Sequence, residues 1–269
     1  MNELKDEFDG FLNDYSQYSE IFKGGKRIRP IIILETASYI NPDWRENELL
    51  YNKIKRFSVT IELIHCTSLI IDDLPSMDND MYRRNELTFH AKYGRHSAYL
   101  MVFNLLILIK KLIHENDDHT MMYLELEELI NLEMSNLVKG QKYDLDSSWN
   151  KGSRTLKIAE LKTASLFKLA TMGPFYLFNE CNKDNIQIKD KLSVLGTHLG
   201  MAFQLSDDFI DMKIDNSSNN YGLETSPEQL IHKYIEYFNL IKINLKKLKF
   251  KKESVIYTIL SLMTKRFKN

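Results

Sequence analysis

The sequence predicts a single all-α domain of about ten helices, and three observations carry that reading. Apolar residues recur at helical spacing, as in Phe57, Ile61 and Ile64 and again in Leu192, Leu195, Leu199 and Ala202. Strict alternation of apolar and polar residues, the mark of a half-buried strand, is scarce. Only 10 glycines and 5 prolines punctuate 269 residues, so turn chemistry is concentrated in a few places. In chain order, the acidic start MNELKDEFDGFLNDY leads to a break at Gly24–Gly25, after which a helix begins within GGKRIRP. Asn41–Pro42–Asp43 separates it from the next helix, which carries Phe57, Ile61 and Ile64, continues into Ser68–Ile71 and is interrupted by Pro75. The apolar run Ala98–Ile109 precedes a turn at Asn116–Asp117–Asp118. Further breaks fall at Asp144–Gly152, Asn179–Asp184 and Asn216–Pro227, with AELKTASLFKLA reading as an amphipathic helix between the first two. The intervening stretches are roughly 15 to 25 residues, close to the long end for globular helices. NSSNNYG (Asn216–Gly222) has the composition of a flexible loop and follows an acidic cluster directly, where a lid would sit. No repeat and no linker divides the chain, so residues 1–269 read as one domain.

Bulk properties exclude several function classes. Lys and Arg (36) nearly balance Asp and Glu (37), so no global field favours nucleic acid or an anionic membrane. Phosphate handling would therefore rest on local basic clusters. Two cysteines, Cys66 and Cys181, make neither a disulfide framework nor a zinc site, which fits a reducing, cytoplasmic compartment. The N-terminus lacks the apolar core of a signal peptide. The run Ala98–Ile109 is interrupted by Asn104, ends at Lys110–Lys111 and is too short to span a bilayer, so a soluble protein without stable membrane insertion is expected.

Two aspartate clusters carry the chemistry: DDLPSMD (Asp72–Asp78) and DDFID (Asp207–Asp211). Carboxylates crowded together repel and raise one another's pKa. A hard divalent cation relieves that repulsion, and Mg²⁺ takes carboxylate oxygens together with substrate phosphates. Asp207, Asp208 and Asp211 fall at i, i+1 and i+4 on one helix, about one face, with Gln204 one turn earlier. Phe203, Leu205, Phe209 and Ile210 surround them, which speaks against a solvated acidic face, because buried carboxylates need partners. In the first cluster Asp72 and Asp73 end an apolar run, and Asp78 and Asp80 follow Pro75 in a segment free to fold back. Arg83 and Arg84 come next. That mixture reads either as a surface salt-bridge network or as the two halves of a diphosphate clamp.

Three further signals are weaker. In GGKRIRP, Lys26 and Arg29 are i,i+3 and would share a face of a starting helix, with Arg27 turned away and the glycines leaving backbone N–H groups open to an anion. His65, on the inner side of the same helix as Asp72, reads alone as a satisfied core histidine. Lys162 and Thr163 read alone as a surface lysine and a threonine bonding its own backbone.

In order, GGKRIRP, IELIHCTSLIIDDLPSMDNDMYRRN, GQKYDL (Gly140–Leu145), LKTASLF and GMAFQLSDDFID resemble the trans-isoprenyl diphosphate synthases, the family of farnesyl and geranylgeranyl diphosphate synthases. The matches run from about residue 24 to residue 211. The resemblance implies an all-α fold with a central helical cavity, a homodimer, and three Mg²⁺ ions. It implies that Asp72, Asp78, Asp207 and Asp211 hold the metal. Arg83 would contact the allylic diphosphate, and Lys26, Arg29, His65 and Arg84 would bind isopentenyl diphosphate. Lys162, Thr163 and Gln204 would face the reacting allyl group. The chemistry implied is ionisation of an allylic C–O bond, attack by the isopentenyl double bond and loss of a proton, with no protein nucleophile.

The chain departs from the family in places. Ile71 stands where many members have His, Val102–Phe103 where Gly-Asp is frequent, and MKIDNSSNNYGLETSP where Gly-Lys usually follows the second acidic motif. The form LIIDDLPSMDND and the Asn-, Lys- and Ile-rich composition are similar to synthases encoded by large DNA viruses, for which the setting would be host cytoplasm. Ser68 and Thr67 lie one turn before Asp72, where aromatic residues in the family tend to stop growth at fifteen carbons. Both are small, and four residues separate Asp73 from Asp78, so geranylgeranyl diphosphate is the expected product. A catalytically weak partner subunit is the competing class, disfavoured by two intact acidic motifs. A class I terpene cyclase would lack GGKRIRP.

Overall fold

The computed structural model describes residues 1–115, 121–145, 153–178, 183–214 and 226–267. Within them run α1 (Asn2–Phe11), α2 (Ser19–Phe22), α3 (Ile28–Ile40), α4 (Glu48–Asp72), α5 (Phe89–Tyr93), α6 (Arg95–His114), α7 (Met121–Leu145), α8 (Ser153–Ala159), α9 (Ser165–Leu177), α10 (Lys183–Ile214), α11 (Pro227–Lys247) and α12 (Val255–Lys265). Short 3₁₀ turns at Leu12–Tyr18 and Trp44–Glu46 join the first of these. Helices α2 and α5 are only four and five residues long, so ten longer ones remain, as the sequence predicts. The loop expected to act as a lid (Asn216–Gly222) and Cys181 lie outside the described residues.

Helix α9 is the axis of the bundle. Every one of its residues except Lys168 is buried, and it packs against α10, α3, α7 and α4. The residues chosen for their spacing all enter the core: Phe57, Ile61 and Ile64 on α4, and Leu192, Leu195, Leu199 and Ala202 on α10. Between α8 and α9 the helix loosens into a π turn, Glu160–Ala164. Close packing there depends on glycine: a Cβ on Gly200 would stand 2.4 Å from the Ala164 Cα, and one on Gly140 would stand 2.8 Å from the Lys162 nitrogen. Helices α10 and α7 thus approach the π turn backbone to backbone.

Helix ends follow recognisable chemistry. Asn47 caps α4 through the Leu50 N–H, and Ser226 with Gln229 forms a capping box ahead of Pro227 in α11. Three features differ from the sequence reading. First, α3 begins at Ile28, after Arg27 in a left-handed conformation (φ 56°), so Lys26 precedes the helix and does not share its face with Arg29. Second, Tyr82–Arg83 and Glu86–Leu87 pair as a small antiparallel hairpin, turning through Arg84 and Asn85, both at positive φ as a two-residue primed turn requires. Third, α6 extends to 20 residues, long and apolar enough by length and composition to cross a membrane, whereas its most apolar run alone is too short. Its Ala98, Leu105, Ile109 and Leu112 are buried, and the helix packs on α4.

Candidate active site

The first acidic motif forms where α4 runs out. Pro75 stops the helix, and the Asp78 N–H donates back to the Asp72 carbonyl at 2.9 Å, so the loosened segment does fold over the helix end. Asp72 is buried. Burial pushes its carboxyl up to about 6, Lys162 opposes the shift, and the Asp78 carboxylate adds to it. Lys162 Nζ lies 3.6 Å from Asp72 Oδ2 and 2.9 Å from Asp144 Oδ2. Burial pulls the Lys162 ammonium down, but Asp72 and Asp144 outweigh it and raise it. Asp73 turns elsewhere: Arg83 Nε donates to its Oδ1 at 2.6 Å, while Arg83 Nη2 reaches Asp80 at 3.3 Å. Burial also raises Asp78.

The π turn presents Lys162 and Thr163 side by side. Neither takes the role its residue type suggests alone. Thr163 is buried and donates to Gln204 Oε1 at 2.6 Å, and Gln204 Nε2 donates to Asp208 Oδ1 at 2.8 Å. Asp208 therefore fixes which way the Gln204 amide points, a task the sequence reading did not give it. π turns recur at functional sites because they displace side chains from the regular helical register.

A cavity of about 300 Å³ is lined by Lys26, Arg29, His65, Arg83, Arg84 and, across from them, Phe203 and Asp207. The predicted basic residues thus converge although Lys26 lies outside α3. Arg29 stacks on Phe167 at 5.0 Å, and its Nε is buried without a hydrogen-bond partner. Burial and the neighbouring Arg266 lower Lys26. His65 is held well below its ordinary value by burial and by Arg29, Arg84, Arg83 and Arg27, which leaves it neutral at pH 7. Arg27, expected to turn away, lines the same cavity, where Asp9 at 2.9 Å and Glu62 at 3.1 Å hold its guanidinium.

In the second acidic motif, Asp207 meets Arg266 of the C-terminal segment, whose Nη1 also donates to Ser206 Oγ at 2.7 Å. Asp211 is exposed one turn later. Burial raises Asp207 despite Arg266 and Lys26. Among the described residues no three His, Cys, Asp or Glu side chains stand close enough to hold a metal ion as they are. The donor set nevertheless suits a hard cation: all-oxygen, partly buried carboxylates with raised pKa. Thr67 and Ser68 turn their hydroxyls onto their own helix, to the Leu63 carbonyl at 2.8 Å and the His65 carbonyl at 2.9 Å, leaving small surfaces. Sequence reasoning missed the parts played by Asp144, for which its place in GQKYDL was the available signal, and by Arg266, which had none.

The family model for polyprenyl synthetase matches residues 12–223. The chain belongs to that family. It is a prenyltransferase of the farnesyl and geranylgeranyl diphosphate synthase type. It is 30% identical to a farnesyl diphosphate synthase of Buchnera aphidicola, over 97% of this chain and 90% of the relative. It is 32% identical to a geranylgeranyl diphosphate synthase of Pantoea ananas, over 73% of this chain and 64% of the relative. Its fold superposes with a TM-score of 0.81 on a Helicobacter pylori geranyltransferase complexed with magnesium and isoprenyl diphosphate, at 22% identity and covering 100% and 96% of the two chains. As a polyprenyl synthetase the chain keeps its acidic motifs at the head of the bundle, at the ends of α4 and α10.

Proposed function

We propose that this prenyltransferase condenses isopentenyl diphosphate with an allylic diphosphate in a Mg²⁺-dependent reaction in the cytoplasm, and that geranylgeranyl diphosphate is its main product. The observation that carries the reading is the concentration of cationic groups in one cavity. Lys26, Arg29, Arg83 and Arg84 share about 300 Å³ with two acidic residues, Asp207, which meets Arg266, and Glu62, which is engaged by Arg27. An anion of high charge density completes such a cavity. Isopentenyl diphosphate takes Lys26, Arg29, Arg84 and the neutral imidazole of His65. The allylic diphosphate takes Arg83 and the aspartates' side of the site.

The donor set and the similar structure complexed with magnesium and isoprenyl diphosphate support Mg²⁺, which we propose binds as three ions held by Asp72, Asp78, Asp207 and Asp211. When bound, that metal supplies Lewis-acid stabilisation of the departing diphosphate. The chain's own residues do the rest. Lys162 sets its ammonium beside the leaving group, the Thr163–Gln204–Asp208 chain fixes the Gln204 amide so that the remaining lone pair of its carbonyl can face the allylic cation, and apolar walls exclude water. The allylic C–O bond breaks, a C–C bond forms from the isopentenyl double bond, and the released diphosphate accepts the proton.

The small surfaces of Thr67 and Ser68 support a twenty-carbon product. Thr67→Tyr is expected to shorten the product to fifteen carbons, because a ring takes the space of the fourth isoprene unit. Product analysis with Mg²⁺, isopentenyl diphosphate and an allylic primer tests both statements. Absence of elongation rejects the reaction, and an unchanged product length in the variant rejects the path of the tail. We also infer that the chain pairs with a second copy of itself through α6, which exposes Tyr99, Leu100, Phe103 and Ile107 along one face.

A further inference from the structure

The foot of the bundle, at the far end from the acidic motifs, carries a concentration of positive charge that the reaction does not use. Helix α11 leaves the head, where the Phe267 ring lies 4.3 Å from Tyr234 and 4.6 Å from Phe209. It reaches the foot beside the start of α10, where Leu248 and Ile188 line one cavity. From Lys242 to Lys252 there are six lysines (242, 246, 247, 249, 251 and 252), and residues 237–252 hold no Asp or Glu. All six are exposed, and none makes an ion pair among the described residues. On α11, Lys242, Ile243, Lys246 and Lys247 fall on the face opposite the buried Ile241, Asn244 and Leu245, and Ile243 is 49% exposed. The chain as a whole carries a net charge of -1, so the cluster is a local field on an otherwise balanced surface.

Helix chemistry accounts for only part of this. Lys246 and Lys247 stand in the last turn of α11, where the helix dipole favours cations. The helix then ends in a Schellman motif: the Phe250 N–H donates to the Leu245 carbonyl at 3.0 Å and the Lys249 N–H to the Lys246 carbonyl at 3.1 Å. Lys249 holds the left-handed position of that motif (φ 60°), which glycine ordinarily takes. A lysine there carries a backbone cost that glycine avoids, and it sets an exposed cationic residue on the rim of the cavity. Lys251 and Lys252 follow in the turn before α12, beyond the reach of the helix dipole.

The cavity, about 280 Å³, has apolar walls of Ile40, Phe175, Phe178, Ile188 and Leu248. Tyr39 also lines it, but its hydroxyl is spent on the Leu248 carbonyl at 2.6 Å and its ring stacks on Phe250 at 4.1 Å. Phe175 and Phe178 are buried, so no ring stands free as a stacking platform for a nucleobase. Unpaired lysines around an apolar opening match anionic headgroups above acyl chains. We propose that the foot of the bundle is a docking surface for an anionic phospholipid bilayer, in which the lysines meet the headgroups and the cavity admits part of one acyl chain. The protein rests on the bilayer without inserting a helix, and the acidic motifs at the head face the aqueous phase.

The experiment is flotation of the full chain with vesicles of phosphatidylcholine alone and with vesicles containing about 30% phosphatidylserine. The chain should float with the anionic vesicles only, and added salt should release it. Lys247→Gln, Lys251→Gln and Lys252→Gln combined should weaken vesicle binding about a hundredfold, the factor expected for three lysines at an anionic surface, with Tm and turnover unchanged. Ile188→Trp places a fluorophore at the cavity, and phospholipids with brominated acyl chains should quench it beyond any effect on Trp44 and Trp149 of the parent protein. Equal flotation with both vesicles, flotation with neither, or a triple variant that binds as the parent does would overturn the docking surface. Quenching no greater than the parent's would overturn the seating of a chain in the cavity. Tighter binding of single-stranded RNA than of anionic vesicles, lost in the same triple variant, would overturn lipid as the occupant. The three lysines are exposed, so their variant decides the surface even where a tryptophan at position 188 disturbs the fold.

Discussion

Asp72 is ionised against the preference of its surroundings. Burial places its carboxyl at about 6 in the folded protein against 3.8 for the ordinary group. The folded state therefore binds the proton more tightly than the unfolded chain does. Stability falls as pH rises between those values, and at neutral pH the charge costs about 3 kcal/mol. Asp72→Asn is expected to stabilise the protein in EDTA at pH 7.5 by up to about 3 kcal/mol, a gain that shrinks below pH 6 and disappears near pH 4. Denaturant unfolding of the two proteins across that range checks the sign. In the proposed reaction the same variant should lose several orders of magnitude in turnover. Lys26→Ala should raise the KM for isopentenyl diphosphate through loss of a charge-assisted contact worth roughly 1.5–3 kcal/mol, with kcat little changed. Steady-state kinetics on both substrates distinguishes this from an exchange of the two seats, in which only the allylic KM would move. The aspartates were legible because carboxylates crowded into apolar sequence need an explanation. Lys162 was not legible from its own segment, since its partners Asp144 and Asp72 are 18 and 90 residues away and nothing local says that the lysine is turned inward.

At the scale of elements, the site depends on helices that touch without side chains between them. A Cβ at Gly200 would meet backbone and side-chain atoms of Ala164 in the π turn, and backbone cannot swing aside. Gly200→Ala should destabilise the fold by about 1–3 kcal/mol, an overpacking effect, and should also lower kcat by shifting Thr163 from Gln204. Urea unfolding and turnover, measured on the same preparation, read the two consequences separately. Helix period was plain in the sequence, because burial of one stripe demands it. The π turn was not, since LKTASLF has the same apolar spacing whether its hydrogen bonds run to the fourth or the fifth residue. The hairpin escaped for a different reason. Strands of two residues cannot show alternation, and Arg84–Asn85 lacks the glycine that usually announces a primed turn. The start of α3 was misplaced because GGKRIRP contains no capping side chain, and the helix waits for Arg27 to be locked by Asp9 and Glu62.

For the whole molecule, α6 is the open question that its own residues answer best. Phe103 is 64% exposed and Ile107 is 68% exposed, one turn apart on a helix whose other face is core. Apolar strips of this kind mark interfaces. Phe103→Glu combined with Ile107→Glu should convert a dimer into a monomer in light scattering, with the helical content retained. A monomeric parent protein would reject the pairing. The other whole-molecule property lies in the bookkeeping of charge at the head of the bundle. Lys162 sits on Asp72 and Asp144, Arg83 on Asp73 and Asp80, and Arg266 on Asp207. In the proposed reaction, Asp72 and Asp207 turning to a divalent cation would deprive Lys162 of one of its two carboxylates and Arg266 of the one carboxylate it meets among the described residues, and the attraction of both side chains for a diphosphate would increase. A diphosphate that draws the same side chains away leaves the aspartates bare and strengthens their hold on the cation. Thermodynamic reciprocity makes the two enhancements equal. On the proposed reading the head of the bundle would behave as an ion exchanger, poorly loaded by either ion alone and well matched to the two arriving as a neutralised pair.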